Sequence, residues 1–137
     1  MKWDDSKYRG VTDKIIKAFF AVFDKLGPGF YEEAYHRALV IELRKEFASV
    51  ESERSFAVEY DGQKVSEHRP DIIVDSLVII EVKAVRELDD NHKAQLISQL
   101  RVTGILIGLL VNFAKSKLEF KRFDNFYEIE RKGLKLA

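Results

Sequence analysis

Apolar residues recur every three or four positions through the first third of the chain, as they do along one side of an amphipathic helix. The first stripe predicts a helix over residues 6–26 and comprises Val11, Ile15, Phe19, Val22, Phe23 and Leu26. Gly27-Pro28-Gly29 ends this helix, because glycine suits the left-handed position after a helix and proline cannot continue its hydrogen bonds. A second stripe predicts a helix over residues 30–47 and comprises Tyr31, Ala34, Tyr35, Ala38, Leu39 and Leu43.

The apolar pattern changes to a period of two after Phe47, which is typical of strands. Residues 56–60 alternate apolar and polar side chains, and Asp61-Gly62 after them is a two-residue hairpin signal. Residues 71–74 and 77–82 are β-branched runs on either side of a short turn. The second run is apolar on both faces, so it predicts a buried central strand.

The rest of the chain alternates helix and strand. Residues 89–102 predict a helix capped by Asp89 or Asp90, and residues 105–111 predict a second buried strand. Residues 117–123 indicate a further strand, after which the tail is either a short helix or frayed.

The order of these elements predicts an α/β fold. A helix that links two buried strands acts as a crossover, which favours a mixed central sheet flanked by helices. A chain of 137 residues with 46% apolar content suits a single domain, here residues 1–137.

Composition removes several classes of protein. The chain has no cysteine, which excludes disulfides, thiolate metal sites and a cysteine nucleophile. The start is charged and the longest apolar run, residues 105–111, is far shorter than a bilayer crossing. We therefore expect a cytoplasmic protein with no membrane partner.

Charge gives no general support for a nucleic-acid partner, because 23 basic residues balance 23 acidic ones. Any basic surface must be local. The best candidate is the C-terminal third, which contains Lys115, Lys117, Lys121, Arg122, Arg131, Lys132 and Lys135.

The central strand contains two charged residues that need an explanation. Glu81 and Lys83 are two positions apart, so both point to one face of the sheet. Burying them is costly unless they are paired or bind a charged partner. Asp71 lies ten residues before Glu81, and a three-residue loop or a bulge would place the two carboxylates side by side, whereas a two-residue turn would separate them.

Two adjacent carboxylates repel each other, and a hard divalent cation removes that penalty. Mg²⁺, or Mn²⁺ in its place, fits oxygen ligands better than Zn²⁺ does. Such a cation would polarise a phosphoryl oxygen and activate water, while Lys83 would orient the water or neutralise charge on the phosphate.

These residues resemble the motif of the PD-(D/E)XK nucleases. Pro70-Asp71 followed by Glu81-Val82-Lys83 is similar to the motif itself, and Gly29, Glu32 and Tyr35 resemble the signature of its GxxExxY branch. The resemblance extends from about Lys25 to Arg122. It implies a restriction-endonuclease-like core that holds Mg²⁺ and hydrolyses phosphodiester bonds of nucleic acid, DNA in particular.

The resemblance also assigns roles. Asp71 and Glu81 would be metal ligands, Lys83 would handle the water or the developing charge, and Glu32 would be an outer metal ligand or a base acting through water. Gln95 matches a glutamine that some branches of the superfamily follow with tyrosine four residues later. Here Gln99 stands in that place, and with His92 these glutamines lie on one helix stripe that could face the same cleft.

Three functions remain open from the sequence. The first is a Mg²⁺-dependent nuclease, which the intact set of Asp71, Glu81 and Lys83 favours. The second is a catalytically inactive module on the same fold that binds nucleic acid or protein. The third is an assembly subunit that forms a homodimer through exposed helix faces; the neutral charge favours the last two.

Overall fold

The computed structural model describes residues 6–133 and contains four helices and seven strands within that range. The helices are α1 (Ser6–Leu26), α2 (Glu32–Arg44), α3 (Asp90–Thr103) and α4 (Phe126–Arg131). The strands are β1 (Val50–Ser52), β2 (Phe56–Tyr60), β3 (Gln63–His68), β4 (Ile72–Val74), β5 (Val78–Lys83), β6 (Ile107–Asn112) and β7 (Glu119–Asp124).

Five strands form the central sheet in the order β1-β4-β5-β6-β7. β5 and β6 are parallel and are linked through α3, whereas the other neighbouring strands are antiparallel. The predicted mixed sheet flanked by helices is therefore confirmed, with the run at 77–82 as its central strand. β2 and β3 form a separate two-stranded hairpin.

The sheet is covered on both faces. Val78, Ile80 and Val82 of β5 belong to the large apolar cluster that includes α1 and α2. Ile79 alternates with them and packs with Leu96 and other residues of the smaller cluster beneath α3. Because side chains alternate along a strand, α1 and α2 lie on one face and α3 on the other.

One glycine sets how closely α3 approaches the sheet. A Cβ atom at Gly108 of β6 would lie 2.9–3.1 Å from three side-chain atoms of Leu96, which is closer than van der Waals contact permits. Gly108 therefore lets Leu96 pack directly on the strand, and this contact helps to fix the height of α3.

Several predicted boundaries were wrong. The helix predicted over 30–47 begins at Glu32, so residues 30–31 are not helical. The backbone N–H of Phe30 donates to Tyr35 Oη, and this contact holds the loop before α2. The helix ends at Arg44. β1 was not predicted, since only one of its three residues is apolar. The strand predicted at 105–111 is β6, at 107–112, and the strand predicted at 117–123 is β7, at 119–124. The tail forms α4.

Asp89 is the cap of α3, as one of the two predicted alternatives, and accepts a hydrogen bond from the backbone N–H of His92. Within residues 6–133, no helix combines the length and the apolar character that a membrane crossing requires.

Candidate active site

Asp71 and Glu81 lie side by side on the α3 face of the sheet. Residues 75–77 form a three-residue connection between β4 and β5, and the register pairs Ile72 with Ile80. Asp71 is therefore opposite Glu81, which is the adjacency that the three-residue alternative predicted. The backbone N–H of Asp71 donates to Glu81 Oε1 at 3.3 Å, and that of Val82 donates to Asp71 Oδ2 at 2.7 Å.

The Glu81 side chain is almost completely buried, with 1% of its surface exposed. Burial raises the pKa of its carboxyl well above the ordinary value of 4.5, and the charge of Asp71 raises it further. Lys83 opposes both effects only weakly. We call Asp71 and Glu81 the carboxylate pair; its repulsion and desolvation are what a bound cation would relieve.

Lys83 lies next to the carboxylate pair at the end of β5 and is half-buried. Its ammonium does not bond to either acid. It donates instead to Gln95 Oε1 of α3 at 2.9 Å, so an exposed helix residue fixes the direction of a charge that comes from the sheet. This contact joins two predicted site residues that are twelve positions apart.

Glu32 is the first residue of α2 and lines a cleft of about 350 Å³ beside Asp71. Partial burial raises the pKa of its carboxyl above the usual value, Lys83 lowers it and Asp71 raises it. The rest of the cleft wall is formed by Glu33, His36, Arg37, Ser52 and Glu53. We call this the acidic cleft.

Tyr35 holds the start of α2 in place. It is fully buried and stacks on Phe113 with ring centroids 4.7 Å apart. Its hydroxyl donates to Gly27 O at 2.6 Å and accepts from Phe30 N at 3.1 Å. Gly27 has a φ of +64°, a left-handed conformation that favours glycine. Tyr35 thus braces the loop before Glu32, as a core or cleft-wall residue would.

A comparison with protein families matches this chain to a profile described as the PD-(D/E)XK nuclease superfamily, over residues 9–123. The matched range contains Glu32, the carboxylate pair, Lys83 and Gln95. The chain belongs to the PD-(D/E)XK nuclease superfamily. Its members are usually nucleases and generally use divalent metals.

A search of curated proteins finds no match to this superfamily member. Among solved structures, the crystal structure of SSO0001 is similar to it, with a TM-score of 0.56 and 19% sequence identity. The similar region covers 94% of this chain and 66% of SSO0001. At that identity the likeness shows a common fold, and this chain spans somewhat less than two thirds of the length of that relative.

The donor set of this PD-(D/E)XK domain fits a hard cation held by few protein ligands. In the described range, no three His, Asp or Glu side chains form a group that could hold a metal ion. The two hydrogen bonds from the backbone use Glu81 Oε1 and Asp71 Oδ2. Asp71 Oδ1 and Glu81 Oε2 are the carboxylate oxygens outside those two bonds. Mg²⁺ commonly binds one or two carboxylates and completes its octahedron with water and substrate phosphate.

His92, Gln95 and Gln99 have different neighbours, and the expectation from helix spacing that they face one cleft stays a prediction. His92 Nδ1 accepts from the backbone N–H of Asp89 at 3.0 Å and completes the cap of α3. Gln99 is buried, and in the described part of the chain its Oε1 has no hydrogen-bond partner. Gln95 is the member of this stripe that contacts Lys83, and His92 is near enough to Glu32 for its charge to lower the pKa of that carboxyl.

Sequence reasoning assigned no role to His36, which lines the acidic cleft. Its Nε2 lies 2.7 Å from Ser52 Oγ. Ser52 is in β1, the strand that the apolar pattern did not reveal, so no signal in the sequence pointed to this pair.

Proposed function

We propose that this protein is a Mg²⁺-dependent nuclease, with Mn²⁺ as a substitute ion, that hydrolyses phosphodiester bonds of nucleic acid and of DNA in particular. We place it in the GxxExxY branch on the strength of Gly29, Glu32 and Tyr35. The observation that carries the proposal is the carboxylate pair at the end of β5, with the Lys83 ammonium beside it and directed by Gln95.

Asp71 and Glu81 would hold the cation. When bound, Mg²⁺ would supply positive charge to a phosphoryl oxygen and favour ionisation of water. Asp71 is oriented for this by the Val82 N–H. The buried position of Glu81 keeps bulk water away from its carboxyl, so that a cation and this group, once ionised, would attract each other with little screening.

Lys83 and Glu32 would handle charge and proton. The water oxygen forms a bond to phosphorus, the bond from phosphorus to the leaving oxygen breaks, and the water proton passes to Glu32. The raised pKa of Glu32 makes it a better base than an ordinary carboxylate. Lys83 would neutralise charge that develops on the phosphate, and solvent would protonate the leaving oxygen.

Thermal unfolding with added metal tests the site independently of any substrate. Mg²⁺ or Mn²⁺ at saturating concentration should raise the melting temperature of the wild type by about 5 °C, because ligands that bind only the folded state stabilise it. Asp71→Asn should abolish the shift. Asp13→Asn, an exposed acid on α1, is the matched control and should keep it.

Cleavage of a mixed panel of single-stranded, duplex and branched DNA and RNA tests the activity. Asp71→Asn should lower the rate at least about 100-fold, since the metal contributes several kcal/mol to the transition state. A protein that binds metal through Asp71 but cleaves no member of the panel would contradict the nuclease and favour the inactive binding module.

A further inference from the structure

A second cleft shares no lining residue with the acidic cleft. It runs between the β2–β3 hairpin and α3 and has a volume of about 470 Å³. Its walls include Ser66 and His68 from β3, and Ser98 and Arg101 from α3. We call it the hairpin groove.

The hairpin groove begins near the carboxylate pair. His68 ends β3 three residues before Asp71. Three residues of fully extended chain span at most about 10 Å, so the Cα atoms of His68 and Asp71 are no farther apart than that. On the other wall, Ser98 follows Gln95 by three residues on the same helix, which is nearly one turn. Gln95 is the residue that directs Lys83, so the groove leads away from the reacting centre along α3.

Charge separates the two clefts. Three glutamates and Asp71 form most of the wall of the acidic cleft, where Arg37 is already paired with Glu33. In the part of the chain that the structure describes, no acid lines the hairpin groove, whose polar groups are two hydroxyls, an imidazole and the Arg101 guanidinium. The acidic cleft therefore repels a polyanion that approaches the carboxylate pair, whereas the hairpin groove attracts it.

Several charges of the basic surface expected in the C-terminal third are neutralised by neighbouring acids. Lys115 lies within 3.6 Å of both Glu87 and Glu119, and Arg131 forms a bidentate contact with Glu128. Arg101 contacts an aromatic ring instead.

At its far end the hairpin groove meets an aromatic surface. The Arg101 guanidinium lies 4.6 Å from the ring centroid of Tyr127, and Tyr127 is 56% exposed. Arg101 also lines an adjoining pocket of about 270 Å³ whose wall contains Ile97, Phe126 and Tyr127, together with the ion pair of Arg122 and Asp124. A cationic groove followed by exposed aromatic rings is what proteins use to bind backbone phosphates and stack unpaired bases.

We propose that the hairpin groove binds one single strand of nucleic acid that runs from the carboxylate pair past Arg101 to the aromatic surface at Tyr127. This assignment rests on the proposed nuclease function and adds the strandedness of the substrate and its path. Ser66, His68 and Ser98 would contact the backbone, Arg101 would bind a phosphate, and Tyr127 would stack on a base.

The test is binding of a fluorescent 12-nucleotide single strand, measured by anisotropy in EDTA so that neither metal nor cleavage contributes. Arg101→Ala should raise Kd about 10-fold, because a phosphate contact and the platform at Tyr127 are both lost. The slope of log K against log salt should fall by about 0.7, the value expected for one phosphate contact on a single strand. Arg37→Ala is the matched control from the acidic cleft and should change neither quantity.

A second pair of variants covers the case in which truncation of Arg101 disturbs α3. Ser98→Glu adds a carboxylate to the groove without removing a contact of Arg101 and should weaken binding by a similar factor. Ser116→Glu, an exposed serine between β6 and β7, should not. Equal effects of Arg101→Ala and Arg37→Ala, tighter binding of a blunt duplex than of the single strand, or no binding by the wild type would each overturn the proposal.

Failure here is distinguishable from failure of the nuclease. Asp71→Asn removes one of the acids that repel the strand, so in EDTA it should not weaken single-strand binding, whereas it should lose the metal-induced rise in melting temperature. Loss of that metal effect in the wild type would refute the metal site, whereas loss of the Arg101 effect alone would refute the path of the strand.

Discussion

The two faces of the central sheet serve different purposes. The face under α1 and α2 is covered by a large continuous apolar core, and its fully buried side chains include Phe19, Tyr35 and Leu39. The face under α3 has a much smaller apolar cluster and carries the carboxylate pair and Lys83. The difference indicates that packing on the first face supplies stability that the buried charges on the second face reduce.

The largest effect should come from the packed face. Phe19→Ala removes a fully buried ring that lies 6.1 Å from Phe120, and it should lower the free energy of unfolding by about 3–5 kcal/mol. Phe20→Ala is the matched control, because this neighbouring ring also contacts Phe120 but is 44% exposed. It should cost about 1 kcal/mol. Urea denaturation measures both, and equal losses would contradict the contrast.

On the site face, removal of the ionisable group at position 81 should stabilise the protein. Glu81→Gln keeps an acceptor for the Asp71 N–H and adds a donor toward the Asp71 carboxylate. In the folded wild type the pKa of Glu81 is raised, so above pH 4.5 the unfolded chain loses a proton that the folded state retains. The free energy of unfolding therefore falls as pH rises from 4.5 toward the raised pKa.

Glutamine has no such proton, so the variant should be more stable than the wild type by about 2 kcal/mol at pH 8 and equal to it near pH 4. It should also lose the stabilisation by Mg²⁺.

Glu67→Gln is the control, and its effect on stability should have the opposite sign. Lys64, Ser55 and Arg69 lower the pKa of Glu67 to about 2, so its contribution is present above pH 4.5 and is lost as pH falls below that value. Denaturation in EDTA between pH 4 and 8 measures both variants. A Glu81→Gln variant that is less stable than the wild type at pH 8 would refute the prediction for Glu81.

A smaller effect should come from the contact that sets α3 on the sheet. Gly108→Ala would push Leu96 away and should cost about 1–2 kcal/mol, because the buried side chain has little room to move. Gly10→Ala is the counterpart on α1, where an added Cβ meets no atom within 4 Å. It should stabilise the protein by about 0.5–1 kcal/mol, since alanine favours helix. Thermal unfolding of the two variants should therefore shift in opposite directions.

The fold was predictable from the sequence where the apolar pattern is long and regular. The stripe over 6–26 matches α1, and the unbroken β-branched run at 77–82 marks the central strand. β1 has one apolar residue in three and forms because β4 pairs with it, so its formation depends on tertiary contacts. The start of α2 was missed for a similar reason, because Tyr35 bonds to Phe30 from a full turn away.

The site was predictable in part. The spacing of Asp71 and Glu81 defined two alternatives, and the three-residue connection between β4 and β5 gives the adjacent one. The pattern could not reveal that the exposed Gln95 bonds to Lys83 while Gln99 is buried, since the two glutamines are one turn apart on the same stripe of α3. Which glutamine reaches the sheet depends on the rotation and height of α3. The catalytic roles of all these residues remain predictions.

One carboxylate oxygen of Asp71 has a structural role, and the other is the one that we propose for the cation. One accepts from the Val82 backbone N–H at 2.7 Å, so the side chain takes the place of a strand partner at the end of β4. Folding therefore already restricts the rotamer of Asp71, and binding of an ion would cost little additional side-chain conformational entropy. Asparagine at this position could keep the anchoring bond and lose only the anionic charge. That substitution therefore separates an intact architecture from an intact active centre.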